Sequence, residues 1–486
     1  MAGIGFELKG LFKKRGIAAL FRAYGYAGVI CAGPMLLGVL LLLGVMLLCS
    51  LMGVAKHEQE LVICMITYTL LASLTVTSFF SMVVTRYLSD MLYEEHTEAI
   101  LPSFWGSGSL MLVVGGVLYG VFLLFSGIPF LDQFLCLTYF GEMILVWNAM
   151  SYLTAIKDYK GILLSFASAV AVTFLVGGIL LLLGIPHVEA LMLAVSSGYG
   201  LMLIWDVVLL HRYFPESDVS AFSFLKWIDE FLPLALTGFL INIGLFVHLV
   251  LMWAGPIRVK VQGLFYGAPF YDVPALVAFL TILITTVNFV VSVEVKFYPK
   301  YRNYYSLFND NGSIKDIMQA EKEMLAVLGS ELKYTALKQL FATMLALSLG
   351  GILLNMLPLG FNDLMQGYFR VLCVGYGIYA VANTVLLILL YFTEYQGALA
   401  SAAVFAVGSA VFTLLSFLLP TKYYGFGFIL GSTAFFLMVY WRLEVFTRRL
   451  PYHILSTQPI VAEMKEGVFT EISGYLQRKV EEDGEN

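Results

Sequence analysis

Residues 26–52 read YAGVICAGPMLLGVLLLLGVMLLCSLM and contain no charged side chain. A hydrocarbon core of about 30 Å takes about 20 helical residues to cross, so this stretch is long enough to span a bilayer. Its apolar run is also too long for a secretory signal, and no small-residue cleavage pattern follows it, so it reads as a retained first span. Gly33 and Pro34 interrupt it. Proline removes a backbone donor and its ring clashes with the preceding turn, which makes the pair a candidate hinge, or alternatively a packing solution.

Working outward, similar stretches recur along all 486 residues, of which 60% are hydrophobic and 13% charged. A soluble domain carries about a quarter charged residues, so this chain has too little polar surface to coat a globule. Long unbroken runs, as opposed to short alternating ones, indicate helices and exclude a barrel. The pattern predicts an all-α polytopic membrane protein with about twelve spans. They fall near 26–52, 62–86, 104–127, 133–156, 161–184, 189–211, 228–254, 272–294, 339–357, 368–391, 397–419 and 425–444.

The loops carry the orientation signal. One set of connections, with both termini, holds 23 of the 28 Lys and Arg residues. Basic residues are retained on the cytoplasmic side, which predicts cytoplasmic N and C termini. The expected organisation is an amphipathic N-terminal segment (1–25), an N-lobe of six spans (26–211) and an inter-lobe loop (212–226). A C-lobe of six spans (227–445) with a long cytoplasmic loop at 295–338 follows, and then a C-terminal tail (446–486). In the N-terminal segment, Ile4, Leu8, Leu11 and Phe12 share a helical face beside Lys9, Lys13, Lys14 and Arg15, a pattern suited to an anionic leaflet or to simple positive-inside anchoring. Ser313 with Asp316 three residues later is a helix-start signal ahead of the apolar positions Met324, Leu325, Leu328 and Leu332.

Candidate functional residues are the polar groups inside apolar spans, which are costly there and face a cavity or a partner. Glu142 lies about eight residues, or about 12 Å, from the outer end of its helix. It is either a path carboxylate that binds a substrate hydroxyl or a proton, or a hydrogen-bonded acid buried between helices. Asp206, one turn from the inner boundary near His211 and Arg212, is expected to form an interfacial salt bridge. Asn148, Asn242, Asn288 and Asn383 occupy four different spans, where their amides suit substrate hydroxyls or act as interhelical glue. Pro233, early in the seventh span, is a further candidate hinge.

No catalytic constellation stands out. His248 is alone in its span, no Asp-x-Asp pair occurs, and no phosphate-cradling Gly-x-x-x-x-Gly-Lys loop is found. The five cysteines sit inside apolar segments without metal-ligand spacing. We therefore expect no cofactor, no metal, no nucleic-acid partner and no enzymatic activity.

Several blocks carry a resemblance. MAGIGFELKGLF at the start, AYGYAGVICAGPML at Ala23–Leu36, YLTAIKDYKGI at Tyr152–Ile162, FYPKYRNYYSLFNDNGSIKDI at Phe297–Ile317 and RLEVFTRRLPYHILSTQP at Arg442–Pro459 resemble the PelG family. That family belongs to the inner-membrane machinery of Pel exopolysaccharide export. The resemblance implies a fold of the multidrug/oligosaccharidyl-lipid/polysaccharide exporter superfamily, with two six-helix lobes around a central cavity. It implies export of a growing polysaccharide, in biofilm matrix production, beside a PelF-like glycosyltransferase and PelD-like and PelE-like membrane proteins. Alternatives are a lipid-linked oligosaccharide flippase, a multidrug antiporter of the same fold, and a non-transporting scaffold for the synthase.

Overall fold

A computed structural model describes residues 17–156, 158–309, 312–356, 361–456 and 467–484. The amphipathic segment expected at the N-terminus falls largely outside these residues. Six helices fill the first half: α1 (Ile17–Leu51), α2 (Lys56–Tyr93), α3 (Ile100–Phe125), α4 (Phe130–Ile156), α5 (Tyr159–Leu182) and α6 (His187–Tyr213). A short α7 (Leu225–Glu230) precedes α8 (Leu232–Ala254), and a two-stranded antiparallel hairpin follows, β1 (Val259–Gln262) and β2 (Phe265–Gly267). The remaining helices are α9 (Pro269–Phe279), α10 (Leu283–Val290), α11 (Tyr298–Asn309), α12 (Ile314–Met356), α13 (Asp363–Tyr391), α14 (Tyr395–Ser416), α15 (Phe426–Thr447), α16 (Leu450–Ser456) and α17 (Val468–Gly484).

Among the described residues, eleven helical stretches are long and apolar enough to cross a membrane, and Leu36–Leu51 within α1 adds a shorter apolar helix. The eighth span is composite. It joins α9, a 3-10 turn (Leu280–Ile282), α10, a π-helical segment (Val291–Phe297) and α11 into one stretch, Pro269–Phe308. Two connections carry regular structure of their own. Much of 295–338 is helical, because α11 prolongs the eighth span and α12 runs unbroken for 43 residues into the ninth. Its start is capped as the Ser-x-x-Asp signal predicts: Ser313 Oγ accepts from the Asp316 amide at 3.3 Å and donates to Asp316 Oδ2 at 2.7 Å. The connection after the seventh span forms the β-hairpin, a fold too short for hydrophobic periodicity to announce.

The chain divides into two compact units, one of Pro34–Phe246, Met252–Ala268 and Pro459–Asn486, the other of Met1–Gly33, Val247–Leu251 and Pro269–Gln458. Each has the same internal plan. In the first unit α4 is the hub and packs on α2, α3 and α6, while α5 pairs with α6. In the second, α13 is the hub and packs on α9, α12 and α15, while α14 pairs with α15. Small residues let the outer pairs approach, as helices in lipid require. A Cβ on Gly198 would stand 2.5 Å from the Ala169 carbonyl oxygen across α5 and α6. In the second unit, Cβ atoms on Gly427 and Gly431 would meet the Thr413 and Ser409 backbones of α14 at 2.5 and 2.7 Å.

Candidate functional site

The acid that the sequence singles out sits on the hub of the first unit. Glu142 projects from α4 towards α6, where Ser196 Oγ donates to its Oε1 at 2.8 Å. Gly200, one helical turn along α6, keeps room for it, since a Cβ there would come within 3.4 Å of Oε1. The other oxygen, Oε2, is buried and meets no hydrogen-bond partner among the described residues. A buried polar atom without a partner is costly, so this position suits a proton, a cation, a water or a ligand hydroxyl.

Two further carboxyls are buried in this unit. Asp132, in the first turn of α4, has its Oδ1 without a hydrogen-bond partner among the described residues, and Asp206 on α6 is fully buried facing Ser165 of α5. The expected interfacial salt bridge of Asp206 does not form among the described residues. Helical rotation explains this, because His211 and Arg212 lie five and six residues on and point about 140° and 120° away. His211 instead approaches Glu216, at 3.9 Å. Asp132 comes ten residues before Glu142 on α4, and Asp206 ten residues after Glu142's partner Ser196 on α6. At about 1.5 Å per residue the three acids step through the unit at intervals of about 15 Å.

The four asparagines fare differently. Asn148 is spent on helix packing: its amide donates to the Phe104 carbonyl at 3.1 Å and to Ser107 Oγ at 2.9 Å, joining α4 to α3. Asn242 on α8 accepts from Thr75 Oγ1 of α2 at 3.3 Å and stays half-buried. Asn288 on α10 donates to Thr335 Oγ1 at 2.6 Å and accepts from Lys338, both on α12. Asn383 on α13 is half-buried, and its amide engages no hydrogen bond among the described residues. Of the candidate hinges, Gly33 and Pro34 lie in unbroken helix, and the boundary between the two units falls between them. Pro233 occupies the first turn of α8, after a break at Phe231, where its missing N–H is an orphan in any case.

Sequence reasoning missed two polar groupings in the second unit. Glu331, Thr335, Gln339 and Thr343 recur every four residues on α12 and are buried. There Thr285 donates to Gln339 at 2.6 Å, and Lys296 pairs with Glu331 at 2.6 Å. That four-residue polar repeat was the available signal. Beside it, Gln339 and Thr343 join Ala336, Leu340, Gly377 and Phe436 in lining a groove of about 240 Å³. His248, solitary in sequence, is fully buried among aromatic rings. Its Nδ1 lies 2.9 Å from the Tyr271 hydroxyl and its Nε2 3.4 Å from that of Tyr376, with the Phe428 ring centroid at 4.2 Å. Four separate helices contribute to this cluster, so no local pattern could reveal it.

Comparisons with known proteins place this architecture. No curated protein matches the chain. Solved structures of the same fold include an inward-facing multidrug resistance MATE family transporter of the MOP superfamily, at 11% identity and TM-score 0.56 over 94% of this chain and 100% of that one. The eukaryotic MATE transporter AtDTX14 is similar at 11% identity and TM-score 0.56, covering 95% and 99% of the two chains. A mutant of the Vibrio cholerae MATE transporter VcmN aligns with TM-score 0.59 at 11% identity, covering 89% and 98%. These likenesses establish the transporter fold that twelve apolar helices suggested. A family model described as "PelG: Putative exopolysaccharide Exporter (EPS-E)" matches residues 1–455, a range that takes in every span. The chain is a multi-pass membrane protein of the transporter fold and belongs to the PelG family.

Proposed function

We propose that this protein exports a growing exopolysaccharide across the cytoplasmic membrane, with both termini on the cytoplasmic side. The observation that carries the reading is the PelG match over residues 1–455. A PelF-like glycosyltransferase supplies the polymer and the energy of polymerisation, PelD-like and PelE-like membrane proteins complete the assembly, and the product enters a biofilm matrix. The chain itself acts as a transporter and performs no catalysis.

Within this reading Glu142 is the principal path residue, because its Oε2 stands unpartnered in mid-span. A carboxylate there exchanges a proton or accepts from sugar hydroxyls as the polymer passes. Asn242 and Asn383, both half-buried, are the asparagines with amide capacity left for a sugar. Asn148 and Asn288 serve the helices that position them. Gly33 and Pro34 are the candidate hinge of the first span.

The cellular test is removal of the gene from a producing strain. Export predicts polymer retained inside while synthesis continues, restored by the intact chain. Unchanged secretion without the chain overturns the proposal.

A further inference from the structure

The C-terminal helix α17 lies beyond residue 455, where the family match ends. It is bound to the segment between the sixth and seventh spans by a cap supplied from far away in sequence. Asp229 accepts from the Thr470 amide at 2.7 Å, from Thr470 Oγ1 at 2.8 Å and from the Phe469 amide at 3.3 Å. A carboxylate there satisfies orphan N–H groups and complements the helix dipole. Gly467 permits the approach, since a Cβ would stand 2.6 Å from Asp229 Cγ. One turn on, Ser473 Oγ donates to the Phe222 carbonyl at 2.9 Å, so two points fix the direction of the helix. Phe469 and Leu476 pack into the core of the same unit.

That docking covers only half of the helix's apolar face. Val468, Ile472 and Tyr475, spaced four and three residues apart, form a neighbouring stripe that is 67%, 40% and 61% exposed. Chain reach limits where this stripe can be. Asp229 is three residues before Leu232, the first residue of the seventh span, so it lies within about 10 Å of the span's start. The interfacial layer on each side of the hydrocarbon is about 5–8 Å deep, and a helix is about 10–12 Å across. A helix capped by Asp229 therefore overlaps that layer. Its surroundings agree: Trp227 donates to Asp90 at 2.9 Å, and Arg86 lies 5.3 Å from the Phe231 ring centroid, amphipathic groups of the kind that gather at a membrane boundary.

We propose that the uncovered stripe of α17 rests in the headgroup and upper acyl layer of the bilayer, a lipid contact that holds the segment Phe222–Glu230, between the sixth and seventh spans, against the membrane. Tyr475 presents an apolar body with a polar tip, the form favoured at such depth. Arg478 lies about 60° around the helix from Tyr475 and pairs with no carboxylate among the described residues. It is available to an anionic lipid phosphate.

The test uses the full chain in vesicles of phosphatidylethanolamine and phosphatidylglycerol, with the native cysteines replaced. Nitroxide labels are placed on Ile472→Cys, Tyr475→Cys and, as the polar-face reference, Gln477→Cys. Lipid contact predicts that oxygen relaxes the labels at 472 and 475 at least several-fold more effectively than a water-soluble nickel complex does, with the reverse order at 477. Equal nickel access at all three sites overturns the proposal. Shielding of 472 and 475 from both reagents, as under a second protein surface, also overturns it.

Discussion

Ser196 on α6 donates to Glu142 on α4 at 2.8 Å, and this single bond leaves the second carboxylate oxygen of a mid-span acid without a partner among the described residues. A purely structural acid in lipid would be expected to use both oxygens. Glu142→Gln preserves size and the bond from Ser196 while removing the ionisable group. We expect export to fall at least tenfold while membrane abundance and melting temperature stay near wild type. Secreted polymer per unit of membrane protein is the measurement, and wild-type export would remove Glu142 from the path.

Asn148 makes the opposite prediction. Its amide bonds tie α4 to α3 at the Phe104 carbonyl and Ser107, so Asn148→Leu should destabilise the first unit by about 1 kcal/mol, the scale of a polar interhelical contact in membranes. Thermal unfolding in detergent should shift downward. Export per folded molecule should not change, and a selective export defect at normal stability would show that the amide touches the polymer.

These two residues show how far the sequence could be read. Twelve apolar runs announce their own length, so span number and order were legible, and the cap at Ser313 followed from a three-residue spacing. Depth could also be counted, but facing could not. Distance to the boundary alone places Asp206 in an interfacial pair, whereas the helix turns it into the interior, away from His211 and Arg212. Likewise, Glu142 and Asn148 are both candidate path residues of one span, and the neighbouring helices, α6 for one and α3 for the other, separate them. The cluster around His248 was hidden because it is assembled from α8, α9, α13 and α15.

Close helix approach supplies a third prediction. Gly198 faces the Ala169 carbonyl, and a valine there must push α5 and α6 apart or fail to pack. Gly198→Val should cost at least about 1–3 kcal/mol, the usual penalty for overpacking. Size-exclusion profiles should show loss of monodisperse protein. Gly474, with open space around its Cβ position, should accept alanine without such loss.

Asp229 supplies a fourth. Asp229→Ala removes the acceptor for three donors at the start of α17 and should cost about 1 kcal/mol of local stability, as for other helix caps. Hydrogen exchange should accelerate across 468–476 and leave the α4 and α13 hubs protected. Unchanged exchange in α17 would mean that Phe469 and Leu476 alone hold it.

The central claim is that this chain moves polymer across a bilayer. Its most direct test is reconstitution of the purified protein with the PelF-like glycosyltransferase proposed as its partner on one side of sealed vesicles, followed by assay of polymer in each compartment. Polymer should appear in the far compartment only when this chain is present, and should be strongly reduced with Glu142→Gln at equal synthesis. Polymer confined to the synthesis side, with synthesis intact and the wild-type chain folded in the membrane, would contradict it.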